Sequence, residues 1–152
     1  MSAGLSDRLC AGLAELDFAQ LPLTTVTAAK RALLDATGVM LGASGSSPEV
    51  QPFVDLARVS GSGPCTILGT PYRVPAPSAA LANGAMAHAL DYEDAFDRVP
   101  GHPNASLVPA LIALAQSEGP IDGRRFLAAL AAGRDLACRM ATALRRAMEA
   151  GN

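Results

Sequence analysis

Hydrophobic residues near the start of the chain recur every three or four positions, which is the spacing of one face of an α-helix and predicts a first helix there. A second such helix is predicted from residue 24 or 25 to about residue 41, and the Gly/Ser stretch 42–47 is interpreted as the connection that follows it. A third is predicted over 49–59, with Pro48 in its first turn. The repeating positions of the first helix are Leu5, Leu9, Leu13 and Leu16.

The second half of the chain predicts three more helices. An alanine-rich segment over 79–90 follows Ser78, a residue type that caps helix N-termini. Another helix is predicted from Asn104, or from two residues later, to about Ser117. The longest covers 123–148 and is followed by the glycine typical of a helix end.

The segment 61–77 differs from these helices because prolines and glycines surround the β-favouring run 65–68. It predicts a short strand or extended arm near residues 64–75. We therefore expect an all-α fold with at most this arm. The whole chain, 1–152, is expected to form a single helical domain, since 152 residues suit one ordinary domain.

The composition indicates a packed domain with some apolar surface to cover. Half of the residues are hydrophobic and 17% are charged, against roughly 25% charged in a typical domain. The mean hydropathy is +0.25. We infer that another chain or another domain covers part of this apolar surface.

Charge and cysteine usage exclude several classes of function. The net charge is −2 and the basic residues form no run, which argues against nucleic acid as a partner. No uninterrupted apolar stretch approaches the roughly 18 residues of a membrane helix, and no secretory leader is recognisable. The three cysteines form no CxxC pair. We therefore expect a cytoplasmic protein with no membrane contact.

Both histidines and a group of acidic residues fall in the window 88–102, which makes it the candidate for chemistry. His88 and Asp91 are three positions apart and share a helix face if the helix extends that far. His102 lies in a proline- and glycine-rich loop that could hold it in a fixed position. Histidine is the side chain best suited to proton transfer near neutral pH.

Other interpretations of this window remain open on the residues alone. The acidic cluster could be a solvated surface at a helix end, and His88 could be a core or interface histidine. A metal site from His88, Asp91 and Asp94 is an alternative, although no further strong ligand is placed by the sequence.

Several ordered segments resemble one known family. The run 79–94 is AALANGAMAHALDYED, and it is followed by Gly101-His102-Pro103-Asn104. Upstream, 29–38 is AKRALLDATG, and downstream the long helix contains Gly133-Arg134-Asp135. Together these segments resemble the N-terminal part of the MmgE/PrpD family, whose signature has the form AALxNGxxAHxLDxDD.

The resemblance implies a mostly helical domain that corresponds to the first third of the usual family length. Family members include 2-methylcitrate dehydratase, cis-aconitate decarboxylase and iminodisuccinate epimerase. They form homodimers, carry a second, smaller α/β domain and need no obligatory metal. For this chain we therefore expect no metal, no cofactor, and a homo- or hetero-oligomer with a chain that supplies the rest of the family fold.

The resemblance also assigns the candidate site residues. Asp91 matches the site aspartate, expected to position substrate or act as base, and His102 matches the site histidine, expected to act as general acid or base. His88 and Asn83 are expected to assist in substrate binding. Arg73 and Arg98 are candidate carboxylate-binding cations from composition alone.

The predicted function is that of a subunit, or part, of a lyase that dehydrates or decarboxylates a small carboxylic acid. The isolated chain is expected to be inactive, because the remaining site residues belong to later segments of the family fold. The alternative is a non-catalytic assembly or binding module that keeps the family's helical interface. A fragment of a longer gene is the third interpretation.

Overall fold

The structure is a computed structural model that describes residues 4–99 and 101–151. Within this part of the chain, six α-helices and one short hairpin make up the fold, which confirms the all-α prediction with a small strand arm. The elements are α1 (Leu5–Ala14), α2 (Leu23–Ser46), α3 (Gln51–Val59), β1 (Cys65–Thr66), β2 (Arg73–Val74), α4 (Ala76–Ala89), α5 (Pro103–Glu118) and α6 (Gly123–Glu149). Single 3₁₀ turns at Phe18–Gln20 and Pro48–Val50 precede α2 and α3.

Helix α2 is longer than the sequence pattern predicts, so the predicted connection at 42–47 is wrong. The Ser44 hydroxyl donates to the Leu41 carbonyl and the Ser46 hydroxyl to the Gly42 carbonyl, at 2.7 and 2.9 Å. These bonds satisfy the serines inside the helix instead of diverting the backbone into a turn. Ala43 is completely buried and gives this last turn a place in the core.

Helix α4 begins three residues before its predicted start, so the prediction that Ser78 caps it is wrong. Pro75 occupies the N-cap position, and Pro77 lies in the first turn. Proline suits this turn because its missing N–H would have no partner within the helix. Ser78 therefore lies inside α4.

The predicted arm is a two-stranded antiparallel hairpin. Cys65 pairs with Val74 and Thr66 with Arg73. Gly69 adopts a φ of 72° in the connection, a conformation that glycine enters without steric cost. The Cys65 thiol donates to the Ala113 carbonyl at 3.1 Å, and Ile67 is completely buried, so the arm is seated in the helical core.

Small residues allow the helices to pack closely around α4, which contacts α2, α3 and α5. Met40, Ile67, Met86, Val108 and Leu130 are the larger side chains that are completely buried. Between them lie alanines with almost no exposed surface, among them Ala36, Ala43, Ala79, Ala82 and Ala87. Aromatic residues make up only 4% of the chain, and the core is filled instead by close helix contacts with methionine and aliphatic side chains.

The apolar faces of two helices remain uncovered in this chain. All four leucines that predicted α1 are exposed, and the C-terminal half of α6 exposes Met140, Leu144 and Met148. α1 is a helix, as the periodicity predicts, although the structure buries none of its residues. Across residues 4–99 and 101–151, no helix combines the length and apolarity that crossing a membrane requires.

Candidate active site

The two histidines meet where α4 ends and α5 begins. His88 lies in the last turn of α4, and His102 is the N-cap residue of α5. Their ring centroids are 5.6 Å apart, with the ring planes inclined at 49°. The structure thus brings together two imidazoles that are 14 positions apart in the sequence.

Glu93 is the buried carboxylate of this site. Its side chain is 1% exposed, its Oε1 atom contacts Nδ1 of His88, and the same oxygen lies 3.8 Å from Nδ1 of His102. Its Oε2 atom has no hydrogen-bond partner among the described residues. Burying a carboxylate is costly unless it is paired, and the imidazole of His88 provides that pairing.

A main-chain carbonyl determines the tautomer of His102. The Nδ1 atom of His102 lies 2.9 Å from the carbonyl oxygen of Asp94. Because a carbonyl oxygen only accepts hydrogen bonds, Nδ1 carries the proton. In the neutral ring, Nε2 is then the basic nitrogen that can take up a proton.

Asp94 connects the loop to α5 and α6. Its Oδ1 atom accepts a hydrogen bond from the main-chain N–H of Asn104 at 3.0 Å, and its Oδ2 atom lies 3.4 Å from Nη2 of Arg134. A carboxylate at a helix N-terminus satisfies an otherwise unpaired N–H and interacts favourably with the helix dipole. Asp94 therefore secures the start of α5 beside His102.

Asp91 ends α4 and lies close to the histidine of α5. It has a φ of 53°, and its N–H bonds to the His88 carbonyl at 3.2 Å, in the position where helices commonly place a left-handed residue. Ligand atoms of Asp91, Glu93 and His102 all lie within 4.8 Å of one another. The two residues predicted to be catalytic, Asp91 and His102, are thus neighbours.

These three side chains are also a donor set that could hold a metal ion. Two carboxylates and one imidazole are the ligand types of divalent transition-metal sites. The set differs from the alternative that the sequence offered, because Glu93 and His102 take the places of His88 and Asp94 beside Asp91. The family resemblance implies no obligatory metal, so a metal-free site stays our prediction.

The other predicted binding residues have structural contacts of their own. Asn83 is completely buried; its Oδ1 atom accepts from the Leu68 N–H at 2.9 Å and its Nδ2 donates to the Thr66 carbonyl at 3.0 Å. Arg73 donates to the Thr66 hydroxyl within the hairpin. Arg98 is exposed, and its main-chain carbonyl accepts a hydrogen bond from Arg145. Roles for these three in substrate binding stay predictions.

The sequence pattern assigns no site role to three residues that the structure places around the histidines, which are Glu93, Asn104 and Arg134, and it indicates Asp94 only as a possible metal ligand. Asn104 is 1% exposed, and neither polar atom of its side chain has a partner among the described residues. In the sequence, Glu93 is recognisable only as part of an acidic cluster. An Asp or Asn near a helix start is a capping signal, but burial of Glu93 depends on the path of the loop.

Two residues of α6, Cys138 and Arg139, have a pKa above the ordinary value. Burial raises the pKa of the Cys138 thiol; Arg134 opposes the shift, and the negative charges of Asp94 and Asp135 add to it. On the surface, the hydrogen bond to Asp135 raises the pKa of Arg139. Cys138 is therefore a poor nucleophile near neutral pH, because the thiolate is the reactive form.

Comparisons with known proteins agree with this architecture. The family model of the MmgE/PrpD N-terminal domain matches residues 7–150. The chain is also 31% identical over 146 residues to the cis-aconitate decarboxylase-like protein oryM of Aspergillus oryzae. That alignment covers 90% of this chain and 30% of the relative, so the chain spans less than a third of the length of that protein. The chain belongs to the MmgE/PrpD family.

Proposed function

We propose that this chain supplies the acid–base part of a lyase that acts on a small carboxylic acid, by dehydration or decarboxylation next to a carboxylate. The observation that carries the proposal is the proximity of His102 and Asp91: an imidazole held in one tautomer has an exposed carboxylate within 4.8 Å. Proton transfer at carbon needs such a positioned base within reach of the substrate.

In a dehydration, Nε2 of His102 removes the proton from the carbon next to the carboxylate. The electron pair of the C–H bond forms the C=C bond, and the C–O bond breaks as the leaving hydroxyl group accepts a proton from a general acid, which releases water. In a decarboxylation, the C–C bond to the departing carboxylate breaks, and a proton is delivered to the carbon that retains the electron pair. Asp91 orients the substrate in either case. Neither reaction exchanges electrons with an external group, so the proposal includes no redox cofactor.

The site needs cations to hold the substrate's carboxylates. Arg73 and Arg98 remain candidates, but Arg73 is engaged within the hairpin. We propose that the other groups come from a chain that carries the rest of the family fold, referred to below as the complementing chain. The name of the Aspergillus relative, a cis-aconitate decarboxylase-like protein, supports the same class of chemistry.

The test is turnover with and without the complementing chain. We expect the isolated chain to convert neither 2-methylcitrate nor cis-aconitate, and the complex to convert one carboxylic acid of this class. His102→Ala should reduce turnover by about 10²- to 10⁴-fold. Glu118→Gln is the matched control, because it alters an exposed side chain at the other end of the same helix. Unchanged turnover in His102→Ala would contradict the proposal.

The uncovered apolar faces of α1 and α6 favour a second candidate, an assembly module without chemistry of its own. It predicts a stable complex with the complementing chain whose activity does not depend on His102 or Asp91. The same variants therefore separate the two functions.

A further inference from the structure

We propose that His88 is a second proton-transfer group of the site, held by the buried carboxylate of Glu93 and acting together with His102. This inference rests on the proposed function and names the group that performs its second proton step. In the dehydration, His102 removes the proton from carbon, and His88 protonates the hydroxyl group that leaves as water.

The first argument is the tautomer of His88. An ionised carboxylate only accepts hydrogen bonds, so the contact between Glu93 Oε1 and His88 Nδ1 requires the proton on Nδ1. The Nε2 atom of His88 is then the nitrogen that exchanges protons. A carboxylate behind an imidazole holds the ring in one orientation and stabilises the imidazolium that forms during catalysis.

The second argument is that each of the two rings directs its Nδ1 atom toward the loop that contains residues 93 and 94. Nδ1 of His88 contacts Glu93, and Nδ1 of His102 contacts the carbonyl of Asp94, the next residue. Both rings therefore have Nε2 as the atom for chemistry, with their centroids 5.6 Å apart. An elimination needs a base at one atom and an acid at the adjacent one, and two neighbouring imidazoles satisfy that requirement.

The third argument is access. The side chain of His88 is 64% exposed, and that of His102 is 36% exposed. His88 also lines a hollow of about 470 Å³ between α3, α4 and α5, whose other walls include Phe53, Leu81 and Ser106. A histidine that served only to pair the buried carboxylate would not need this exposure.

The helix ends differentiate the two histidines. His88 lies at the C-terminus of α4, where the dipole stabilises a positive charge, and its Nδ1 partner is a carboxylate. His102 lies at the N-terminus of α5, where the dipole opposes a positive charge, and the acceptor for its Nδ1–H is a neutral carbonyl. The carboxylates of Glu93 and Asp91 are near His102 as well. Because the proposed function gives His102 the role of base, His88 is the neighbouring imidazole that remains to act as acid.

Long-range ¹H–¹⁵N NMR of the two imidazoles tests the tautomers in the full chain without any substrate. The chain has only two histidines, so His88→Gln and His102→Ala assign both rings. We expect Nδ1 to be protonated in both. Glu93→Ala should move His88 toward the Nε2–H tautomer and leave His102 unchanged, and Glu93→Gln, which keeps an acceptor oxygen, should preserve the Nδ1–H form. An Nε2–H tautomer of His88 in the unaltered chain would overturn the proposal, because Glu93 would then be the donor.

Isotope exchange in the complemented enzyme tests the division of roles. In ²H₂O, His88→Gln should lose net elimination by about 10²- to 10⁴-fold, with KM little changed, while His102 still exchanges the substrate's proton for deuterium. His102→Ala should lose both exchange and elimination.

The outcomes separate this inference from the proposed function. Full elimination by His88→Gln alongside an inactive His102→Ala would overturn the role of His88 and leave the proposed function intact. If no complemented mixture turns over any carboxylic acid, the proposed function fails, and proton transfer by His88 fails with it. The NMR result alone then decides whether Glu93 holds the His88 tautomer.

Discussion

The Nδ1 atom of His102 lies 2.9 Å from the carbonyl oxygen of Asp94, so one nitrogen of this ring is committed to the loop and the other is left for proton transfer. His102 thus has two roles, of which the first is the hydrogen bond from Nδ1 to the loop and the second is proton transfer at Nε2. An alanine substitution would remove both. Asparagine can reproduce the first role, because its side-chain N–H₂ can donate to the carbonyl, but it has no group that can reproduce the second.

His102→Asn should therefore fold like the unaltered chain and lose activity in the complemented enzyme. We expect its free energy of unfolding to change by less than about 0.5 kcal/mol, since asparagine is also a favoured N-cap residue. His102→Ala should lose about 1 kcal/mol with the hydrogen bond. Thermal unfolding followed by circular dichroism compares the two variants. Equal destabilisation of both would mean that the ring itself, rather than its Nδ1–H, supports the loop.

Asp91→Asn should reduce turnover severely with little effect on stability. The substitution deletes the charge, while asparagine tolerates the left-handed conformation of this position. Asp91→Ala should in addition destabilise the fold by about 1–2 kcal/mol, because alanine is strained at this φ. Chemical denaturation and the lyase assay together check the pair. Normal turnover in Asp91→Asn would show that this carboxylate is only an exposed side chain at the end of α4, with no part in the reaction.

Asn83→Ala should destabilise the chain even without any substrate. Its amide makes two hydrogen bonds to the main chain of the arm, and removing it leaves the Leu68 N–H and the Thr66 carbonyl without these partners. We expect a loss of about 2–4 kcal/mol. The matched comparison is Asn104→Ala, which removes an equally buried amide with no partner among the described residues and should cost about 1 kcal/mol or less. Equal costs in urea denaturation would show that the hydrogen bonds of Asn83 contribute little.

The three thiols should react with iodoacetamide in the order Cys10, Cys138, Cys65. Cys10 is exposed, whereas Cys65 is buried and donates to the Ala113 carbonyl. Burial raises the pKa of Cys138, so less thiolate is present at a given pH and its reaction should accelerate only toward more alkaline pH. Peptide mass spectrometry of the alkylated chain at several pH values measures each rate. Faster alkylation of Cys138 than of Cys10 at neutral pH would contradict the shift.

The isolated chain should self-associate, because α1 and the end of α6 expose apolar side chains. The complementing chain should suppress this association by covering the same surface. Sedimentation velocity, with binding of a hydrophobic dye, measures both effects. A stable monomer that binds no dye would show that the exposed residues form no continuous patch.

Helix positions are predictable because the 3.6-residue pattern is local, and α3 illustrates this, since the helix predicted over 49–59 is observed at Gln51–Val59. Helix ends were less predictable: α2 continues beyond residue 41 because two serines bond to their own helix and Ala43 fits the core. The prediction of Asp91 and His102 as a pair depended on the family resemblance. Burial of Glu93 and the reach of Arg134 to Asp94 depend on tertiary contacts between distant segments. No local pattern encodes such contacts.

The φ of 53° at Asp91 limits which residue types evolution can place at this position. Most single substitutions at this position are penalised by the backbone before any question of activity arises, whereas asparagine and glycine are not. A lineage that abandons the chemistry should therefore drift to asparagine or glycine at position 91 while keeping its helices. Relatives with asparagine or glycine at position 91 are therefore the ones to examine for a domain that keeps the fold but has lost the activity.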